Sequence, residues 1–222
     1  MNFAVRREKS KEHRLKSVPL EVNLERRYYE RDLPHWQPEG RTLFLTWRLS
    51  GSLPAAILTR LKASKTAEMG KRFREYDVAL DSASSGPRWL RDERVAEVVA
   101  EGIRRVAEDG MGTVHAWVIM PNHVHVLMEP LSSLGPITKK LKGTTARAAN
   151  SILGRTGKFF WQDESFDHWV RDDVEFAKIK KYVERNPVTA GLVTRDEDWK
   201  WSSAGWKKSK EHRLKSVPLK GY

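Results

Sequence analysis

Two histidines separated by one residue, His123 and His125, lie in the apolar stretch TVHAWVIMPNHVHVLMEP, residues 113–130. The pattern predicts two strands joined at Pro121-Asn122, and side chains along a strand alternate between its two faces. Both imidazoles should therefore point to the same face, ~7 Å apart, where they could hold one divalent metal ion with a further ligand. The alternative is a pair of half-buried strand histidines with ordinary hydrogen bonds.

A second candidate group lies near the end of the last predicted helix of the core. Tyr182 and Asn186 are four residues apart and so share one helix face, with Lys178 one turn earlier on the same face. Taken alone, the pattern also fits a core aromatic residue, a helix C-cap and a solvated lysine. Together with the histidines, these residues could supply a metal site, a nucleophile and phosphate contacts.

The elements that must position these residues follow from hydrophobic periodicity and from turn residues. The predicted order of strands and helices matches an α+β fold of the ferredoxin-like type, β-α-β-β-α-β. Its central sheet should be antiparallel, because the turn within residues 113–130 is too short for a parallel crossover. Helices are inserted after the first strand, and a further C-terminal helix carries Tyr182. The predicted elements are a strand at 42–49, helices at 55–65 and 64–80, a loop at 81–88, a helix at 92–109, the hairpin, a basic helix at 137–153, an extended segment at 159–170 and a helix at 174–185 closed by Asn186-Pro187.

Composition limits the function classes. The chain of 222 residues is 39% hydrophobic, with nine Trp, which is enough for a packed core. It has no cysteine, which excludes a disulfide scaffold, a Cys-ligated zinc site and thiol catalysis. The N-terminus lacks the apolar core of a signal peptide, and no stretch reaches 18 apolar residues. We expect a soluble, cytoplasmic protein.

The formal net charge of +12 is concentrated at the two ends of the chain. Residues 1–20 contain six Lys/Arg against two Glu, and residues 207–222 contain six against one. Such an excess favours a polyanionic partner, although a basic end can also be merely solvated. Residues 9–20 and 208–219 are the same twelve residues, KSKEHRLKSVPL, which we interpret as a duplicated DNA segment or a cloning artefact. The predicted organisation is a basic tail and lead-in (1–33), one domain (34–206) and a basic C-terminal tail (207–222).

Five segments carry a resemblance to a known family, and they occur in the family's order over about residues 34–206. They are similar to segments of the REP-associated tyrosine transposases, relatives of the single-tyrosine HUH transposases that move insertion sequences as single-stranded DNA. The strongest signal is MPNHVH followed downstream by Y-x-x-x-N-P. The segments are PHWQPEGRTLFLTWRLSGSLP, WVIMPNHVHVLMEP, FFWQDESFDHWVRD, YVERNPVTAGLV and WKWSSA.

The resemblance implies a DNA cleavage and rejoining enzyme of bacteria, associated with the nucleoid and acting on short palindromes folded as hairpins. His123, His125 and Asn186 would ligate Mg²⁺ or Mn²⁺, and Tyr182 would attack phosphorus to give a 5′-phosphotyrosine. The enzyme would act as a monomer or a homodimer. Candidate phosphate contacts lie near the nucleophile and on the basic helix at 137–153. They are Lys178, Lys181, Arg185 and Arg171 in the first group, and Lys139, Lys140, Lys142 and Arg147 in the second.

Three alternatives remain at this stage. The chain could be a catalytically silent binder of palindromic repeats. It could be a rolling-circle replication initiator or relaxase, which the short chain and the single suitable Tyr disfavour. A metal-dependent hydrolase is disfavoured because no carboxylate cluster accompanies the histidines in the sequence.

If Pro121-Asn122 is a two-residue turn, Val118 and Met120 oppose His125 and His123, and His115 lies on the other face and does not ligate.

Overall fold

The computed structural model describes residues 28–30, 34–36, 40–63, 69–83 and 85–206. A short antiparallel hairpin, β1 (Tyr28–Glu30) and β2 (Pro34–Trp36), spans the predicted boundary at 33/34. The repeated segments at 9–20 and 208–219 lie outside the described residues. No helix in the described part of the chain combines the length and apolar character needed to cross a membrane.

The main sheet has four antiparallel strands in the order β4-β5-β3-β6. Read in chain order, this is the ferredoxin-like arrangement, so the predicted fold class is confirmed. The turn at Pro121-Asn122 brings β4 and β5 together, with Val118 opposite His125, and the Met120 N–H donates to the His123 carbonyl. The strands are β3 (Leu43–Leu49), β4 (Gly112–Ile119), β5 (His123–Pro130) and β6 (Trp161–Trp169).

One face of the sheet packs against two helices, α3 (Glu93–Glu108) and α4 (Leu134–Ile152). Asp92 caps the start of α3: its side chain accepts a hydrogen bond from the Arg94 N–H, an N-cap of the kind that stabilises an exposed helix start. Its apolar residues recur at helical spacing and are buried, as the sequence predicted. Helix α4 begins three residues earlier than expected, because the apolar Leu134 already packs into the core.

The opposite face holds the candidate site and is covered by α5 (Asp173–Thr189). Side chains of α2 (Met69–Asp81) also pack on this face, and α2 follows α1 (Ala55–Ala63) in the insertion after β3. The Asp172 carboxylate accepts a hydrogen bond from the Glu175 N–H and so caps the start of α5. The two faces of the sheet therefore have different roles. On one face, α3 and α4 complete the core; on the other, α5 and α2 present side chains to the strand histidines.

Two local predictions were wrong. Helix α5 does not end at Asn186-Pro187 but continues to Thr189, because a proline near a helix end removes only one N–H and the Ala190 N–H still reaches the Asn186 carbonyl at 2.9 Å. His115 does not face away from α5. A register shift between Val114 and Ala116 turns its ring towards Phe176 of α5, with 5.0 Å between ring centroids.

The edge strand β4 is covered by the segment that follows α5, residues 199–206. The Ile119 N–H donates to the Trp201 carbonyl at 2.8 Å, and the Trp199 indole N–H donates to the Ile119 carbonyl at 3.0 Å. Covering an edge in this way prevents it from pairing with another chain. Trp161 and Trp201 are buried in the core, so these two indoles serve packing.

Candidate metal and nucleophile site

The two histidines of the motif are buried side by side on β5, on the face that α5 and α2 cover. Neither side chain has measurable exposure, and the two Nε2 atoms lie 3.0 Å apart. Their neighbours on β3 are Thr46, opposite His125, and Arg48, opposite His123. The structure thus places both imidazoles on one face, as the alternation of strand side chains predicts.

Each histidine is held by a hydrogen bond at its other ring nitrogen. His123 Nδ1 lies 2.7 Å from Asn122 Oδ1, an acceptor, so Nδ1 carries the proton and Nε2 keeps its lone pair. The Asn122 amide is itself anchored by donating to the Leu80 carbonyl at 2.9 Å. His125 Nδ1 lies 2.7 Å from Thr46 Oγ1. Such outer contacts orient a ligating imidazole and leave Nε2 directed into the site.

A carboxylate that sequence analysis missed completes the group. Asp77 of α2 is buried, and its Oδ1 atom lies 3.0 Å from His125 Nε2 and 3.7 Å from His123 Nε2. Asp81, one turn later, lies 3.9 Å from His123 Nε2. The premise that no carboxylates accompany the histidines was therefore wrong. Phe73, Asp77 and Asp81 recur at four-residue spacing and share one helix face, which was the available signal.

The electrostatics follow from burial and from the crowding of these groups. Burial lowers the pKa of His123 to about 3, assisted by His125 and opposed by Asp77, so this imidazole is neutral. Burial alone would raise the pKa of Asp77, but His125, His123 and the Asn186 side chain outweigh it and hold that pKa below its ordinary value. Burial and the neighbouring Asp77 raise the pKa of Asp81 to about 7. A neutral His123 and an ionised Asp77 are the protonation states that bind metal.

The donor atoms fit a divalent cation. We call Asp77, His123 and His125 the candidate metal triad; their ligand atoms all lie within 4.8 Å of one another. Two ligands at right angles around an ion with bonds of ~2.1 Å are about 3 Å apart, the spacing found for two of the three pairs here. Asp77 Oδ1 and Asn186 Oδ1 are buried without a hydrogen-bond partner in the described part of the chain, and a cation would satisfy both.

Tyr182 reaches the same site from α5. Its ring centroid lies 5.8 Å from that of His125, and its hydroxyl accepts a hydrogen bond from Asn186 Nδ2 at 3.3 Å. Phe44 and Phe73 hold the ring by edge-to-face contacts, with centroids 6.2 and 5.9 Å away. Tyr182 and Asn186, predicted from the sequence to share a helix face, do so: Tyr182 lies beside His125, and the Asn186 side chain helps to lower the pKa of Asp77. His115 is not part of this group.

The predicted phosphate contacts fall into two groups on opposite sides of the sheet. Those on or next to α5 are exposed on the element that carries the tyrosine. Those on α4 lie on the helix that packs against α3, across the sheet from the triad. In the second group, Lys140 is paired with Asp109 at 2.9 Å, and Lys142 donates to the Gln162 and Asp163 carbonyls. The first group is Lys178, Lys181, Arg185 and Arg171; the second also includes Lys139 and Arg147.

The part of the chain that carries most of this site is similar to known proteins. Residues 87–186, which include His123, His125, Tyr182 and Asn186, match the family model described as IS200-like transposase. The REP-associated tyrosine transposase of Escherichia coli K12 is 24% identical over 110 residues, which cover 48% of this chain and 63% of that protein. This chain is therefore similar to the REP-associated tyrosine transposases.

Two further proteins of this kind are similar to the chain. A Haemophilus influenzae relative is 25% identical over 96 residues, 38% of this chain and 54% of its own length. The chain thus spans less than two thirds of the curated relatives that it matches. A solved REP-associated tyrosine transposase bound to a REP hairpin has a TM-score of 0.52 at 18% identity, covering 82% of this chain and 86% of its own. At that identity the likeness establishes the fold.

Proposed function

We propose that this chain cleaves and rejoins single-stranded DNA beside palindromic hairpin repeats, through a 5′-phosphotyrosine formed on Tyr182. The observation that carries the proposal is the meeting of a tyrosine hydroxyl with a buried metal-binding donor set: Asn186 contacts Tyr182, and the Tyr182 ring packs on His125. A structural tyrosine would not require two imidazole nitrogens, a buried carboxylate and an unsatisfied amide oxygen beside it.

The candidate metal triad would hold Mg²⁺ or Mn²⁺, with the Asn186 carbonyl oxygen as a further ligand. When bound, the ion would polarise the scissile phosphate and stabilise the charge that develops on the leaving oxygen. Because two imidazole nitrogens are softer donors than Mg²⁺ prefers, we expect Mn²⁺ to support activity well. Asn122 and Thr46 would keep both imidazoles directed at the ion.

The covalent step is an exchange of phosphodiester bonds. The Tyr182 oxygen forms a bond to phosphorus while the bond to the 3′-oxygen breaks, giving a 5′-phosphotyrosine and a 3′-hydroxyl. The phenolic proton is lost to water, and the departing 3′-oxygen takes one up. Since a phenol ionises near pH ~10, phenolate is a good leaving group, so a 3′-hydroxyl can reverse the step and no external energy source is needed.

The DNA partner is inferred from charge and from the family. The similar protein of known structure is bound to a REP hairpin, and we propose a hairpin with adjoining single strand here. Phosphates near the cleavage point would meet the cations of α5. The cations of α4, on the other side of the sheet, could contact only a separate part of the DNA, such as a hairpin stem. One chain contributes every group of the site, which is compatible with a monomer or with a homodimer.

The test is a covalent adduct. The protein is incubated with Mn²⁺ and labelled single-stranded DNA carrying the palindromic repeats found beside its own gene, and protein-linked label is measured after denaturation. Tyr182→Phe should abolish the adduct and retain DNA binding. Tyr28→Phe is the matched control, because it removes a phenol from β1, a different element, and should leave adduct formation intact.

The outcomes separate the alternatives. An adduct formed by Tyr182→Phe would remove this residue from the role. Cleavage without any adduct would favour a metal-dependent hydrolase, which the Asp77 and Asp81 carboxylates make chemically conceivable. Binding without cleavage by the wild type would favour a silent binder of palindromic repeats.

A further inference from the structure

An arginine that the proposed mechanism does not use is buried next to the site. Arg48 lies on β3 directly opposite His123, and its side chain points to the same face of the sheet as the triad. The residue is only 3% exposed. An arginine is almost never buried to this extent unless its charge is paired.

The Arg48 guanidinium contacts only neutral groups in the described part of the chain. Its Nε donates to the Tyr76 hydroxyl at 2.8 Å, and one terminal nitrogen donates to Ser52 Oγ and the Leu49 carbonyl at 3.3 and 3.4 Å. No described carboxylate lies within ion-pairing distance of it, although Asp77 and Asp81 are on the helix that carries Tyr76. The second terminal nitrogen has no described partner and is not fully enclosed.

A buried cation without a counter-ion is costly to the free protein. Removing a charge from water costs several kcal/mol unless an opposite charge compensates for it. The other buried charge of the site, Asp77, would be compensated by the cation of the candidate metal triad. By contrast, Arg104, on the other side of the sheet, is paired with both Glu97 and Glu101. The described part of the chain therefore provides no opposite charge for Arg48.

We propose that Arg48 is a phosphate-binding residue, whose guanidinium takes a DNA phosphate next to the metal-bound one as its counter-ion. The guanidinium has a planar array of donors that matches phosphate oxygens, and one of its nitrogens is still available. Tyr76 and Ser52 fix its plane, and Tyr76 is adjacent in sequence to Asp77, so the arginine and the triad are held by the same helix. The proposal rests on the proposed function for the identity of the anion.

The test measures how DNA affinity depends on salt. Each protein carries Tyr182→Phe to prevent cleavage, and binding of labelled oligothymidylate is measured with Mn²⁺ over a range of NaCl concentrations. Loss of one phosphate contact on single-stranded DNA should reduce the slope of log affinity against log salt by about 0.7. We expect Arg48→Met to do this and to bind about 10-fold more weakly, and Arg48→Lys to restore the slope because it keeps the charge. Arg104→Met is the matched control and should keep the slope, because its charge is already paired.

Thermal unfolding of the same proteins gives the second measurement. A phosphate-binding Arg48 predicts that Arg48→Met melts no lower than its parent, since the substitution removes an unpaired buried charge. If Arg48→Met does not fold, Arg48→Gln is used in its place in both measurements. An unchanged salt slope in the folded variant would overturn the proposal, whatever the melting temperature. The adduct assay is independent: an adduct with an unchanged slope would leave the transposase function standing, and a reduced slope without any adduct would leave Arg48 as a phosphate contact of a silent binder.

Discussion

The Asp77 Oδ1 atom lies 3.0 Å from the Nε2 atom of His125, yet the two atoms do not form a hydrogen bond of normal geometry. Asp77 belongs to a helix inserted after the first strand of the sheet, and His125 belongs to the strand at its centre. Such an approach without a hydrogen bond is expected where the carboxylate and the imidazole both direct lone pairs at one bound cation. The inserted helix is therefore part of the site and not only an addition to the fold.

Replacing Asp77 should show this directly. Asp77→Ala removes one ligand and the charge that compensates the ion, so Mn²⁺ should bind more than ~100-fold more weakly, beyond the 10–100-fold loss typical of outer contacts. Isothermal titration calorimetry in the absence of DNA measures the affinity. Asp109→Ala, an exposed aspartate paired with Lys140, is the control. Equal Mn²⁺ affinity in the Asp77 variant and the wild type would exclude Asp77 as a ligand.

The hydroxyl of Thr46 offers a milder perturbation of the same site. Thr46→Val keeps the shape but removes the group that contacts His125 Nδ1, so the imidazole can rotate or change tautomer. We expect Mn²⁺ affinity to fall about 10–100-fold, with Thr46→Ser close to the wild type because it keeps the hydroxyl. Isothermal titration calorimetry measures the Mn²⁺ affinity of both Thr46 variants. If Thr46→Ser is as weak as Thr46→Val, the methyl group matters and not the hydrogen bond.

The sequence was sufficient for the fold and for every residue of the candidate site except Asp77, because those features are local. Strand alternation places His123 and His125 on one face, and helical spacing aligns Tyr182 with Asn186. The order of strands and helices is enough to predict the ferredoxin-like sheet. These inferences need only the geometry of one element at a time.

Asp77 was missed because the shared helix face of Phe73, Asp77 and Asp81 looks the same in sequence whether the aspartates are solvated or buried. Its role depends on how α2 packs against β5, which no local pattern specifies. His115 was misplaced for a related reason: a strand bulge breaks the period of two without a clear signature in the residues around it. The extension of α5 past Pro187 was missed because a proline near a helix end can either close the helix or remove only one N–H from it.

The two groups of cations should differ in which DNA they bind. Lys178→Met, on the helix that carries Tyr182, should weaken binding of hairpin DNA and of unstructured oligothymidylate alike, and reduce the salt slope on the latter by about 0.7. Arg147→Met, on α4 across the sheet, should weaken binding only of the hairpin. Fluorescence anisotropy with both DNAs separates these effects. An unaltered hairpin affinity in Arg147→Met would remove α4 from the DNA-binding surface.

The start of α5 gives a prediction about pH. The Glu175 carboxylate accepts from the Arg171 N–H at 2.8 Å and pairs with His168 at 3.0 Å. Burial opposes ionisation, but these contacts outweigh it and hold the pKa of Glu175 below its ordinary value of 4.5. The folded state then binds fewer protons than the unfolded state as pH falls below that value. The stability that Glu175 contributes is therefore complete above its unfolded pKa and is lost as pH falls through its folded pKa.

Glu175→Gln should accordingly lower the free energy of unfolding by about 1 kcal/mol at neutral pH, the size of a helix-cap contribution, with no difference from the wild type once Glu175 is protonated in both states. Urea denaturation at about pH 7 and about pH 3 measures the two differences. Glu108→Gln, at the exposed end of α3, should match the wild type at both. A loss of stability that is equal at both pH values would show that Glu175 acts through packing, because only an ionised carboxylate gives a contribution that disappears in acid.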